Sequence, residues 1–265
     1  MLVWALYPVF GLIAGILAGL LGVGGGIVVV PALVFIFSVQ GLPAGHVMQM
    51  ALGTSLGTIM FTSISSFRAH HRRGAVDWGI VKAIAPGILL GTFSGSYLAA
   101  RLSTDVLKGF FGVFLLYVAT QMLLDVRPKP SRELPGLPGL TGAGLIIGAV
   151  SSLAGIGGGT LTVPFMTWCN TPMRLAVGTA AAIGFPIALA GTAGYLVNGL
   201  GAANLPDYHL GFIYLPALAG VSAASVLTAP LGARLAHALP VSALKRFFAV
   251  FLYLVAGKML WGLLA

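Results

Sequence analysis

Eight long apolar stretches occupy most of this chain, at approximately Leu2–Phe37, Val47–Phe67, Trp78–Ala100, Val106–Leu124, Gly139–Cys169, Leu175–Val197, Leu210–Ala233 and Val241–Leu264. A hydrocarbon core about 30 Å thick is crossed by roughly 20 apolar residues in helix, and six of the stretches have that length. Only 7% of the 265 residues are Asp, Glu, Lys or Arg, whereas a water-soluble domain has roughly a quarter. A soluble fold is therefore excluded, and so is disorder, which requires low hydrophobicity and high charge. The expected class is an all-α, polytopic integral membrane protein. The formal charge of +9 raises the question of nucleic acid. The basic residues lie between apolar runs, however, and the positive-inside rule explains them better. Cys169 is a lone cysteine without a disulfide partner or metal-ligand spacing. Met1 opens directly on an apolar run, without the basic n-region of a cleavable signal peptide.

The first and fifth stretches exceed one crossing. Each is interrupted by three consecutive glycines, Gly24, Gly25 and Gly26 in one and Gly157, Gly158 and Gly159 in the other, followed five residues on by Pro31 or Pro164. Glycine triplets hold a helix poorly and proline removes a donor, so each stretch is expected to divide into two partial helices. The breaks belong to a duplication. Gly11, Gly15, Gly22, Gly24, Gly25, Gly26, Val30 and Pro31 fall in register on Gly144, Gly148, Gly155, Gly157, Gly158, Gly159, Val163 and Pro164. Further along, Ala51-Leu-Gly-Thr-Ser55 falls on Ala176-Val-Gly-Thr-Ala180, Arg101-Leu102 on Arg234-Leu235, and Lys108–Leu115 on Lys245–Leu252. Residues 1–125 and 139–265 thus read as two homologous four-segment transmembrane repeats, joined by a polar, Pro-rich linker at 126–138.

Counting basic residues tests the orientation of the repeats. Eight single crossings divide Lys and Arg evenly between the faces. If segments one and five dip in and return, Arg68, Arg72, Arg73, Arg127, Lys129, Arg132, Arg174, Arg234, Lys245 and Arg246 share one face, leaving Arg101 and Lys108 on the other. The rule favours this second arrangement, with inverted repeats and both termini outside; eight plain crossings remain the alternative. All five acidic residues, Asp77, Asp105, Asp125, Glu133 and Asp207, lie in loops or at segment ends. No carboxylate is expected at membrane depth, where it would mark a proton or cation relay.

With Gly22-Val-Gly-Gly-Gly-Ile-Val-Val-Val-Pro31 and its echo Gly155-Ile-Gly-Gly-Gly-Thr-Leu-Thr-Val-Pro164, each followed by Ala-x-Gly-Thr in the next segment, the chain resembles the sulfite exporter TauE/SafE family along essentially its whole length. The resemblance implies a carrier in a prokaryotic inner membrane that moves sulfite, sulfoacetate, other organosulfonates or related small organosulfur anions. Alternating access, in the direction of export, is the expected mechanism. An anion channel and a proton-coupled importer of the same substrates are the alternatives. An intramembrane enzyme is disfavoured, because neither an acid–base pair nor a metal-ligand cluster stands at membrane depth. The glycine motif also lacks the Lys-Ser or Lys-Thr of a nucleotide loop. No cofactor or metal is expected. The expected partners are a small anionic substrate and the lipid bilayer, with a homodimer left open and nucleic acid excluded.

Repeats in membrane carriers place the substrate between them, where helices are discontinuous. The glycine triplets are therefore the first candidates: backbone N–H groups and half-helix N-termini suit a small anion. Thr54, Ser55 and Thr58 in segment two, Thr179 in segment six, Thr160 and Thr162 after the second triplet, and Ser151 and Ser152 before it are candidates for a neutral hydroxyl shell. Thr54 and Thr179 rank first among the hydroxyls because they are equivalent in the repeats. The competing role of any such hydroxyl is back-bonding to its own helix. The spaced glycines Gly11, Gly15, Gly19 and Gly87, Gly91, Gly95 are expected to serve close helix packing instead.

Overall fold

The computed structural model describes residues 4, 6–21, 25–124, 132–238 and 241–263, with side-chain surroundings for these except at 18–21, 230 and 232–245. Ten α-helices make up nearly all of the described chain: α1 (Leu6–Leu21), α2 (Gly26–Val39), α3 (Val47–Arg72), α4 (Trp78–Arg101), α5 (Thr104–Leu124), α6 (Leu137–Ala154), α7 (Gly159–Trp168), α8 (Met173–Gly199), α9 (Leu215–Ala238) and α10 (Val241–Trp261). The protein is all-α and polytopic. The span from Ala44 to Arg72, together with α4, α5, α6 and α8, is long and apolar enough to cross a bilayer. A minimal hairpin, β1 (His209–Leu210) and β2 (Ile213–Tyr214), replaces the expected start of the seventh segment. Gly211, at φ 57°, turns it.

Both long stretches divide, but the glycines alone divide them. Pro31 and Pro164 lie inside α2 and α7, six residues into each helix, and the helices run through them. A proline so close to the N-terminus removes a single intrahelical donor, whereas consecutive glycines leave the backbone without helical preference. The second break spans residues 155–158, with Gly155 left-handed at φ 59° as the C-cap of α6. At the first, Gly25 is left-handed at φ 76° as the N-cap of α2. Gly24 and the surroundings of Gly19 lie outside the described residues, as do residues 126–131 of the linker expected at 126–138.

Equivalent helices make equivalent contacts across the two halves. α4 packs along α6 and α9 along α1, while α3 meets α8 and α5 meets α10. Glycines set the first two contacts. Gly87 and Gly91 face the backbone of Thr141 and Leu145, and Gly11 and Gly15 face that of Val221 and Ser225, so each pair of helices runs parallel. Leu90, Val113, Ile146, Leu227, Phe247 and Leu254 are all more than 60% exposed on the outside. An apolar exterior on this scale is a lipid-facing one.

The hairpin of α1 and α2 closes at its open end, where the Tyr7 hydroxyl donates to Gln40 Oε1 at 2.6 Å. The α6–α7 hairpin closes at its own end, with the Arg132 guanidinium over the Trp168 ring. Asp77 starts α4 as an N-cap, its carboxylate accepting from the N–H groups of Gly79 and Ile80 at 2.9 and 3.1 Å. Asp77→Ala is expected to lower stability by about 1 kcal/mol, and Asp77→Asn by less, in thermal unfolding of the detergent-solubilised protein.

Candidate functional site where the helix breaks meet

The two breaks, 133 positions apart in sequence, touch. Gly26, the first residue of α2, lies so close to the second break that a Cβ there would stand 2.5 Å from the Gly155 carbonyl oxygen and 2.9 Å from the Ile156 Cα. Ser55 of α3 completes the junction, its hydroxyl donating to the Gly155 carbonyl at 2.8 Å. Gly158 faces α8 in the same manner, 2.7 Å from the Ala180 carbonyl by the same measure. Ala180 is the repeat equivalent of Ser55, so each half offers one small residue to this junction. Gly25, Gly26, Gly157, Gly158 and Gly159 are all buried there. The glycines allow backbone to meet backbone: a side chain at Gly26 would part the two halves, and one at Gly158 would part α7 from α8.

Thr54 and Thr179 stand one residue away and turn to other partners. The Thr54 hydroxyl oxygen accepts the N–H of Tyr214 at 3.0 Å, and that of Thr179 accepts the N–H of Asp77 at 2.9 Å. Tyr214 and Asp77 are the residues immediately before α9 and α4, so the two bonds are equivalent. The neighbouring glycines match too: Gly53 lies against the Phe212 carbonyl and Gly178 against the Ala75 carbonyl. The repeated Ala-x-Gly-Thr is therefore a clamp in which each half grips the approach to a helix, the α9 approach by α3 and the α4 approach by α8. Each threonine keeps its hydroxyl proton and one lone pair for any further partner.

The second break is also bordered by hydroxyls that no described residue satisfies. Ser151 and Ser152 end α6, Thr160 and Thr162 begin α7, all are at least nine-tenths buried, and their oxygens have no hydrogen-bond partner. Elsewhere the buried or half-buried hydroxyls of these helices commonly back-bond, as Thr58 does to Ser55 and Thr228 to Ala224. Thr92 of α4 is a further unpaired hydroxyl beside the same helix, since a Cβ on Gly148 would lie 2.8 Å from its oxygen. Tyr195 of α8 also reaches the break, its fully buried hydroxyl donating to the Ser152 carbonyl at 3.1 Å. No repeat or motif in the sequence singles out Thr92 or Tyr195. Tyr195 comes to the break from the helix after α7, and Thr92 meets α6 from α4 about two turns before it.

Other polar residues are engaged elsewhere. Gln49 Nε2 donates to the Leu102 carbonyl at 2.8 Å, and Trp78 Nε1 donates to His71 Nδ1 at 3.1 Å. Cys169 is a free, buried cysteine at the end of α7 and packs as a small apolar group. Among the described residues no three His, Cys, Asp or Glu side chains gather to hold a metal ion.

An all-helical membrane body with paired, discontinuous helices meeting at its centre is the architecture of a membrane transporter. The chain belongs to the sulfite exporter TauE/SafE family, whose model matches residues 7–259. It is 40% identical to a probable membrane transporter protein of Haemophilus influenzae over 251 residues, covering 94% of this chain and 95% of the relative. It is 30% identical to the probable membrane transporter YunE of Bacillus subtilis over 79% of this chain and 81% of that one. With the probable membrane transporter MJ0441 of Methanocaldococcus jannaschii it shares 32% identity over 82% of this chain and 80% of the relative. No solved structure matches the chain.

Proposed function

We propose that the protein is a secondary carrier in a prokaryotic inner membrane that exports small sulfur-containing anions, such as sulfite, sulfoacetate or other organosulfonates, by alternating access. The observation that carries this reading is the contact between the two helix breaks. Gly26 of one repeat against Gly155 of the other creates a central junction of neutral donors and half-helix ends. Such a junction can replace the hydration of a small anion without a countercharge that would hold it too tightly. The family's description as a sulfite exporter supports the substrate class.

Inverted repeats complete the reading. The end of α3 and the starts of α4 and α8 gather at one pole, where the Arg174 guanidinium donates to the Arg73 carbonyl. Arg68, Arg72, Arg73 and Arg174 belong to this pole. Arg101 and Lys108 belong to the other, where Thr104 donates to the Gly45 carbonyl at 2.7 Å. Two hairpins, closed at opposite poles, then dip in and return, and the richer basic pole faces the cytoplasm.

Direction follows from charge. Among the described residues the carboxylates stand at helix starts or in loops, Asp77 and Asp105 in the former position and Glu133 and Asp207 in the latter. A monovalent anion leaving an inside-negative cell gains about 2.3 kcal/mol per 100 mV, and no coupling proton is needed. In proteoliposomes, export of labelled sulfite or sulfoacetate is expected to saturate, to show trans-stimulation and to accelerate with an inside-negative potential. Non-saturating flux would make the protein a channel, and dependence on an inward proton gradient would make it an importer.

A further inference from the structure

The two breaks are equivalent by repeat but not by chemistry. Ser151, Ser152, Thr160 and Thr162 of the second occupy the places of Ala18, Gly19, Ile27 and Val29 in the first, so every one of the four hydroxyls is matched by a residue without one. Ile27 and Val29 are buried in the continuous apolar core. The crevice beside them, between α1, α2 and α9, is lined by Phe10, Val29, Ala32, Leu33, Ile36 and Val221, all apolar. The second break combines the N-terminus of the ten-residue α7 with the four unpaired hydroxyls, which lie within four residues of it on either side. Thr160 sits in the first turn of α7 and has no helical carbonyl four residues behind it to bond. Buried hydroxyls without partners are costly, and four around one break are accounted for by a ligand that accepts hydrogen bonds.

Resting on the carrier reading above, we infer that the anion is held at the second break alone, one per chain, by the hydroxyls of Ser151, Ser152, Thr160 and Thr162 and the N-terminus of α7. The first break supplies an apolar mating surface. The ligand class is a small oxyanion with several acceptor oxygens, because the site offers donors of hydroxyl type and no cation. Sulfite and the sulfonate head of sulfoacetate fit this description; a bare halide, with a single acceptor atom, satisfies fewer of the four.

Shape-conserving exchanges test it on the purified full chain in detergent, with equilibrium binding of labelled sulfite and thermal stabilisation by sulfite, sulfoacetate and chloride. Thr160→Val and Thr162→Val are expected to weaken sulfite binding at least tenfold, and Thr160→Ser and Thr162→Ser to retain it. Val29→Thr, at the place equivalent to Thr162, is expected to leave the Kd within twofold, and the wild type to bind one sulfite per chain. Two sulfites per chain, unchanged binding in both valine variants, or loss of binding in the folded serine variants would overturn the asymmetric site while leaving an anion carrier standing. Should the valine variants not fold, the serine variants and the stoichiometry still decide. If neither sulfite nor sulfoacetate binds the folded wild type, the sulfur-anion reading falls along with the inference.

Discussion

Gly91→Ala is expected to destabilise the protein by about 3 kcal/mol, at the upper end of what overpacking costs. A Cβ at this position would stand 2.0 Å from the Leu145 carbonyl oxygen, and one at Gly87, a turn earlier, 1.8 Å from that of Thr141. Both obstacles are helical backbone, which no rotamer change can move aside. The partner helix meets the same limit from its own side, where Gly144 and Gly148 face the carbonyls of Ile84 and Ile88. Relief therefore requires α4 and α6 to separate along their length, losing dispersion contacts that lipid replaces only partly. Thermal unfolding in detergent measures the effect. Gly142→Ala, in the same α6 but with nothing within 4 Å of its would-be Cβ, is the control, expected to be neutral or to stabilise by up to about 1 kcal/mol through helix propensity. Equal behaviour of the two variants would remove the packing role of these glycines.

Thr54→Val and Thr179→Val are expected each to cost about 2 kcal/mol, and by similar amounts. Each removes the acceptor of a buried or half-buried backbone N–H, that of Tyr214 or of Asp77, while preserving side-chain shape. Serine restores the acceptor and most of the loss at either site. The pair also separates two roles. If the threonines act mainly as clamps, the loss falls on stability and the anion affinity of the folded fraction is unchanged. Loss of affinity with stability intact would return them to the substrate shell in which their repeat equivalence first placed them.

Much of this molecule is legible as sequence, and for local reasons. Apolar length, the lack of charge and the helix-breaking cost of three glycines are properties of adjacent residues. The segment limits read from them agree with the helices to within a few residues, except where β1 and β2 stand before α9. The spaced glycines Gly11, Gly15, Gly87, Gly91 and Gly95 declare their packing role by a four-residue interval, and each lies at a helix contact. The prolines mislead, because a proline near a helix N-terminus costs little and neither Pro31 nor Pro164 ends a helix.

The candidate site divides along the same line. Sequence alone determines that the protein is a polytopic helical membrane protein, where its helices break and which residues are equivalent in the repeats. Only the tertiary structure decides that Gly26 meets Gly155, that Ser55 is bonded to Gly155 while Ser152 is unpaired, and that Thr54 and Thr179 hold the approaches to α9 and α4. The reason is that a helix in lipid is apolar all round. Leu90 on the outside and Ile88 at 0% exposure are alike in hydrophobicity, so no periodicity marks the inward face. The partners of Ser55, Thr54 and Thr179 are then set by backbone a hundred or more residues away, brought near by glycine contacts that only the assembled helices create.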